Sequence, residues 1–411
     1  MCLRSYWIFH RMQVAENSLC LTTMLTLIWQ GRRGGLRLML ILSVSLLLGC
    51  GLWCIYRYAP SHSEFKKQLL WIGIGLVAFC GVNLVHYRLL GQVSYLLFGL
   101  SLVLLIVVLI GQFLPPDNPI IPRINAARRW IKLGPATIQP SELTKLTFIL
   151  SLAWYLRLRD NYRTFKGLFG PFALTLIPMA LILTEPDLGT TLLFLPVLFI
   201  MLFMAGARIR HLSLIIFLGI VMAFPFYFFI MAPYQKNRIW MLLEQNDTNV
   251  ERLRDELYHL DQSKTYIATG GLLGQAWDPP DYLEEMRPLT FGHNDFIFSL
   301  ISHQWGMLGG FLLIAIYFFL FLGGVEIAAN QPEPYGRLVA VGITSLFATQ
   351  MFVNIGMTMG LLPITGMTLP FVSYGGSSLL SSFMTLGLLT NVARHRPYKT
   401  LSSNQPFEFD D

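Results

Sequence analysis

About ten apolar runs, most of them close to the ~20 residues a helix needs to cross a bilayer, constrain this chain more than any other feature. Lipid offers no water to satisfy backbone N–H and C=O groups, so only helices or closed barrels can span it. Runs of this length are helical rather than barrel strands, which are shorter and alternate in polarity. They read as spans at residues 38–56, 69–85, 94–113, 142–156, 169–184, 188–205, 212–231, 296–322 and 338–356. A tenth starts after Pro370 and ends near Val392. The composition agrees, with 54% hydrophobic and only 13% charged residues against about 25% charged in soluble domains. Such a chain has lipid as its natural solvent.

The expected fold is therefore all-α, a polytopic membrane protein of about ten transmembrane helices. Basic residues favour the cytoplasmic side of short loops. Arg32, Arg33, Arg37, Arg88, Arg157, Arg208, Arg210, Arg337, Arg394 and Arg396 fall on one side if both termini are cytoplasmic. That orientation places a large polar insert, residues 232–293 between spans seven and eight, outside the cell. Residues 1–35 form a cytoplasmic N-terminal extension with no assignable role. Residues 36–397 form the transmembrane domain, and residues 398–411 a cytoplasmic tail. The net charge of +7 reports this topology and contact with anionic headgroups, not nucleic-acid binding. None of the five cysteines sits in an external loop, so no disulfide framework is implied.

Within the insert, Thr248 and Glu251 form a capping-box pattern. Val250, Leu253, Leu257 and Leu260 follow on one helical face. They predict an amphipathic helix lying on the membrane or on the protein.

Ionisable groups at span edges are costly and mark candidate sites. Four places carry them. Arg123, Arg128, Arg129 and Lys132 cluster in one short outer loop, against the topological rule, and suit either headgroups or an anionic ligand such as a phosphate. Gln139-Pro-Ser-Glu142 is a helix start, with Pro140 in the first turn and Glu142 where the dipole favours an acid. Lys145, one turn deeper, needs an acidic partner or an anionic ligand. Glu185-Pro-Asp-Leu-Gly189 reads as a tight turn with Asp187 as N-cap, or as a pair of carboxylates for a divalent cation. Asp295, in His293-Asn-Asp295, sits where the insert re-enters the bilayer. It is positioned to take a proton from a substrate hydroxyl. Finally, the prolines and glycines of residues 360–378 predict a broken or re-entrant helix, tolerated only where protein or a cavity surrounds it.

Several motifs occur in one order: Ala-Arg-Arg-Trp130, Gln139-Pro-Ser-Glu142, Glu185-Pro-Asp-Leu-Gly189, Arg238-Ile239, Gly270-Gly-Leu-Leu-Gly274, Asp295-Phe-Ile-Phe298 and Pro370-Phe-Val-Ser-Tyr-Gly-Gly-Ser-Ser378. Together they resemble the SEDS family (shape, elongation, division and sporulation), which includes RodA and FtsW. The resemblance implies a peptidoglycan glycosyltransferase that polymerises lipid II, an undecaprenyl-diphosphate disaccharide-peptide. It works beside a class B penicillin-binding protein in the bacterial cytoplasmic membrane. On this likeness Asp295 matches the essential carboxylate, the candidate general base. Arg128, Arg129 and Trp130 match a loop motif and, with Lys145, Arg238 and His293, make the implied substrate-binding set. Lys145 could pair with Asp295. Gln139, Pro140, Ser141, Glu142, Glu185, Asp187, Ser373, Tyr374, Gly375 and Gly376 are framework motif positions. The motifs fix no cofactor; a divalent cation is the candidate. Pro363-Ile-Thr-Gly366 is more similar to RodA than to FtsW.

Two departures stand out. Leu289-Thr-Phe-Gly-His-Asn-Asp295 replaces the usual Leu-Pro-Glu-x-His-Thr-Asp, and His303-Gln-Trp-Gly306 replaces Glu-Glu-Leu-Gly. The second removes two carboxylates from the eighth span. Two other readings therefore stand beside the enzyme: a lipid-precursor flippase or transporter, since broken helices are also a transporter feature, and a scaffold that activates a transpeptidase.

Overall fold

The computed structural model describes residue 35 and residues 38–58, 62–112, 119–122, 128–134, 136–158, 164–229, 254–275 and 294–394, with isolated positions 115, 236, 240 and 292. Its helices are α1 (Leu38–Tyr58), α2 (His62–Leu84), α3 (Tyr87–Gln92), α4 (Ser94–Gly111), α5 (Pro140–Leu156), α6 (Phe169–Thr184) and α7 (Leu188–Ala205). There follow α8 (Ile209–Phe229), α9 (Arg254–Thr269), α10 (Ile297–Ala329), α11 (Pro334–Thr358) and α12 (Gly376–Arg394). Strands β1 (Ile131–Leu133) and β2 (Ala136–Ile138) form a small antiparallel hairpin ahead of α5.

A helix occupies each expected span. α2 starts well before residue 69, because Glu64, Lys66 and Lys67 hid its first turns from hydropathy. Among the described residues, eight helices are long and apolar enough on their own to cross a membrane. The fourth and tenth expected spans, α5 and α12, are not among them. Both are interior helices: α5 packs on α4, α6, α7, α11 and α12, and α12 on α2, α5 and α11. Facing protein instead of lipid, they can carry Lys145, Ser381 and Asn391, all buried. The apolar side chains that remain exposed, such as Val77 on α2, Leu96 on α4, Phe224 on α8 and Phe311 on α10, form the lipid-facing belt.

Local sequence explains the ends that matter to the site. Pro140 opens α5 with Glu142 in its first turn. Asp187 caps α7 by accepting from the Thr190 N–H. Gly206, at φ 98°, ends α7, and the next N–H, of Ala207, returns to the Leu202 carbonyl.

The amphipathic helix of the insert is α9. It packs on α10 and α11, so it lies on the protein. Ser263 there meets Ser299 at 2.6 Å and donates to the Thr358 carbonyl at 2.8 Å. Thr248 and Glu251 fall outside the described residues.

The chain after α9 is clasped into a break in α10. Gly306 has φ 66° and ψ −164°, which interrupts the helical ladder. Met307 and Leu308 donate their N–H groups to the carbonyls of Gly271 and Leu272, and Gln275 donates to the His303 carbonyl. Only glycines fit so close an approach: a Cβ on Gly274 would stand 2.2 Å from the Gln304 carbonyl, at a residue already at φ +82°. Gly274→Ala is therefore expected to destabilise the fold by about 2–5 kcal/mol, through overpacking and strain together. Gly271→Ala, at φ +55° but with nothing within 4 Å, supplies the control. It should lose only about 1–2 kcal/mol. Thermal unfolding in detergent compares the two, and equal losses would refute the packing argument.

His303 and Gln304 stand on this break. His303 is fully buried, with Nδ1 2.9 Å from the Tyr58 hydroxyl and its ring against Tyr266. The Gln304 amide is buried with no hydrogen-bond partner among the described residues.

The chain from 361 to 375 is irregular, as its prolines and glycines predict, and it is enclosed. Side chains from neighbouring helices satisfy its backbone. Tyr317 donates to the Pro370 carbonyl at 2.5 Å and Gln68 to that of Ser373 at 3.2 Å, while the Ser373 hydroxyl accepts from the Leu369 N–H at 2.7 Å. Phe371 holds φ +64°, locked between the rings of Phe347 and Phe383.

Candidate functional site

A cavity of about 480 Å³ opens at the outer end of the bundle, the end that carries the insert. That volume lies in the range of small-ligand sites. Its walls come from six separate stretches of chain: Trp71 on α2, the loop and hairpin that run into the first turns of α5, the start of α7, the entry to α10, Gln350 on α11, and the segment between α11 and α12 with the first turn of α12. Asp295, Arg129, Trp130, Glu142, Lys145 and Asp187 all line it. So do Gln139, Tyr374, Gly375 and Gly376.

Asp295 stands just ahead of α10, where the helix dipole favours negative charge. Its Oδ2 lies 3.5 Å from where a Cβ on Gly366 would sit, so the carboxylate rests against the segment between α11 and α12.

The two arginines divide their roles. Arg128 is buried, and its guanidinium donates to the carbonyls of Gly111 and Pro115. It clamps the loop onto the end of α4 and is not among the residues that line the cavity. Arg129 reaches the cavity. Its Nε donates to the Glu185 carbonyl at 3.0 Å and its Nη2 to the Pro186 carbonyl. Carbonyl dipoles orient the guanidinium without neutralising it, so its charge stays directed at a ligand.

Lys145 has the acidic partner that its place in an apolar helix calls for. Its ammonium lies 2.7 Å from Oε1 of Glu142, not paired with Asp295. Glu142 is three residues back on the same helix face. The pair is buried, yet both members border the cavity that Asp295 enters. His293 and Arg238 lie outside the described residues.

Comparison with known proteins decides the family. The FtsW/RodA/SpoVE family model, described as cell cycle protein, matches residues 35–398. The chain belongs to this family. Stage V sporulation protein E of Bacillus subtilis is 36% identical over 370 residues, covering 88% of this chain and 96% of that protein. The peptidoglycan glycosyltransferase RodA of Treponema pallidum is 29% identical, covering 86% and 96%. Among solved structures, one described as structural coordination of polymerization and crosslinking by a peptidoglycan synthase complex superposes with a TM-score of 0.73. It is 30% identical and covers 86% of this chain and 96% of that one. Overall likeness does not separate RodA from FtsW, since the probable FtsW of Trichlorobacter lovleyi is 32% identical over 87% of this chain and 92% of that protein. This SEDS protein is a multi-pass protein of the bacterial inner membrane.

In this family member Asp187 of the Glu185–Asp187 turn caps α7. Asp187 accepts from Gln139 Nε2 at 3.0 Å, from the Thr190 hydroxyl at 2.8 Å and from the Thr190 N–H at 3.2 Å. Both its oxygens are engaged by protein donors, which favours the capping reading over a cation. Among the described residues no three His, Cys, Asp or Glu side chains gather as a metal site.

Glu185 is wholly buried, and neither carboxylate oxygen has a hydrogen-bond partner among the described residues. Burial, reinforced by the Asp187 carboxylate and opposed by Arg129, pushes its carboxyl from 4.5 up to about 8. Between those values the folded chain holds a proton that the unfolded chain has released. Its stabilising effect is therefore complete below 4.5 and lost as the pH rises to about 8. Glu185→Gln is expected to flatten that pH dependence and to raise the melting temperature at the alkaline end. Thermal unfolding in detergent across the window checks this, and an unchanged slope would exclude Glu185 as its source.

The remaining motif residues are framework. Pro140 and Ser141 are buried in the first turn of α5, and Ser373 caps the Leu369 N–H. Gly376 admits Trp71 to the cavity wall, where a Cβ would stand 2.1 Å from that ring. A search for charge missed Gln350 and Thr365, which line the cavity, and Asn354, which is wholly buried beside Asp295. The readable signal was two amides, four residues apart, on one face of an apolar helix.

Proposed function

We propose that this chain is a peptidoglycan glycosyltransferase that polymerises lipid II, with Asp295 as general base. The observation that carries the reading is one outward cavity in which an aspartate, an arginine and a lysine converge. Relatives named as peptidoglycan glycosyltransferases support it. Asp295 takes the proton from the 4-hydroxyl of the acceptor sugar as that oxygen attacks the anomeric carbon of the donor. The bond from that carbon to the lipid diphosphate breaks, and negative charge develops on the leaving group. Arg129, oriented by two carbonyls, places positive charge where that charge appears. Trp130 offers an aromatic wall for a sugar face.

A structure described as a peptidoglycan synthase complex covers 86% of this chain. It supports a crosslinking partner, which we assign to a class B penicillin-binding protein. The deciding experiment incubates the purified full chain, with and without that partner, with labelled lipid II. Glycan polymer on a gel is the expected result. Lipid II moved across a vesicle membrane with no polymer formed would establish a flippase instead. Partner activation without polymer would establish a scaffold.

A further inference from the structure

We infer that Asn354 is a positioning residue, fixing the Asp295 carboxylate by tying the chain at Asp295 to the segment between α11 and α12. The inference rests on the reading of Asp295 as general base. Asn354 lies near the outer end of α11 and is wholly buried. Its amide nitrogen carries two donors, and both find backbone carbonyls: Asp295 at 2.9 Å and Met367 at 2.5 Å. Its Oδ1 has no hydrogen-bond partner among the described residues. The donors are therefore the part of the side chain in use. Met367 adjoins Gly366, against which the Asp295 carboxylate rests. One amide thus fixes the backbone that carries the base and the wall the base lies on.

The plainer alternative is that Asn354 only satisfies two buried carbonyls, which would affect stability alone. The two differ in kinetics. A base displaced by ~1 Å loses rate, by up to roughly 100-fold, while substrate binding is kept. The test uses the full chain with labelled lipid II and compares native protein, Asn354→Ala, Asn354→Asp and Asp295→Asn, each checked for folding by thermal unfolding. Asn354→Ala is expected to lower kcat by about 10- to 100-fold with KM changed less than about 2-fold. Asn354→Asp keeps the shape, but its carboxylate donates nothing, and its protonated form regains one donor. Its rate relative to native protein should therefore rise as the pH falls from about 8 to about 5; taking the ratio cancels the titration of Asp295 itself.

A folded Asn354→Ala protein with native kcat overturns the inference, as does a loss confined to KM. So does an Asn354→Asp ratio that stays flat with pH, and this ratio decides alone if the alanine variant does not fold. An inactive Asp295→Asn beside a fully active Asn354→Ala removes the positioning role only. An active Asp295→Asn removes the base assignment as well.

Discussion

Asp295→Asn is expected to lower glycan synthesis by about 10²- to 10⁴-fold, the usual contribution of a general base, while leaving the fold intact. The substitution keeps the size of the side chain and removes its negative charge, and with it the capacity to take up a proton. The contact that ties this position to α11 runs through the backbone carbonyl, accepted from Asn354, and an amide side chain at 295 leaves it unchanged. Loss of rate without loss of melting temperature would therefore isolate the chemistry. A variant that keeps more than about a tenth of the native rate would show that another group takes the proton.

Lys145→Met is expected to destabilise the protein by about 3–5 kcal/mol, because it leaves Glu142 as an uncompensated buried charge. Only 4% of the lysine side chain and 9% of the glutamate are exposed, so water screens the pair poorly. The double variant Lys145→Met with Glu142→Gln removes both charges and is expected to regain most of that loss. Thermal unfolding of Lys145→Met, Glu142→Gln and the double variant measures the coupling, and a double loss equal to the sum of the two single losses would mean that the ion pair contributes nothing. Polymerisation by the double variant then asks a separate question. A stable but inactive double variant would show that the Lys145 charge also serves the substrate, as its place on the cavity wall allows.

Much of the fold was legible because the bilayer reduces the problem to length and hydropathy. Every expected span carries a helix, and the two that fall short of spanning on composition alone, α5 and α12, do so because they face protein. Asp187 as a cap and Pro140 as a helix start were also legible, since capping depends only on neighbours in sequence. The site was legible by residue type. Asp295, Arg129, Trp130 and Lys145 were marked by charge or motif, and all line one cavity.

Their partners were not legible. Lys145 called for an acidic partner, but that the partner is Glu142 and not Asp295 was not readable, nor was it that Arg128 donates to the carbonyls of Gly111 and Pro115. Each choice depends on which groups packing brings within about 3 Å, a distance no sequence pattern encodes across separate helices. Gln350 and Asn354 escaped for a related reason: an uncharged amide in an apolar helix acquires its meaning only from what it touches. The sequence by itself determined the solvent, the helices, their order and the family, because each follows from hydropathy or local motif. Only the tertiary structure decided which polar groups pair and which face the cavity. In a low-dielectric interior a buried polar group must find a partner, and which partners lie within reach is a property of the packed bundle.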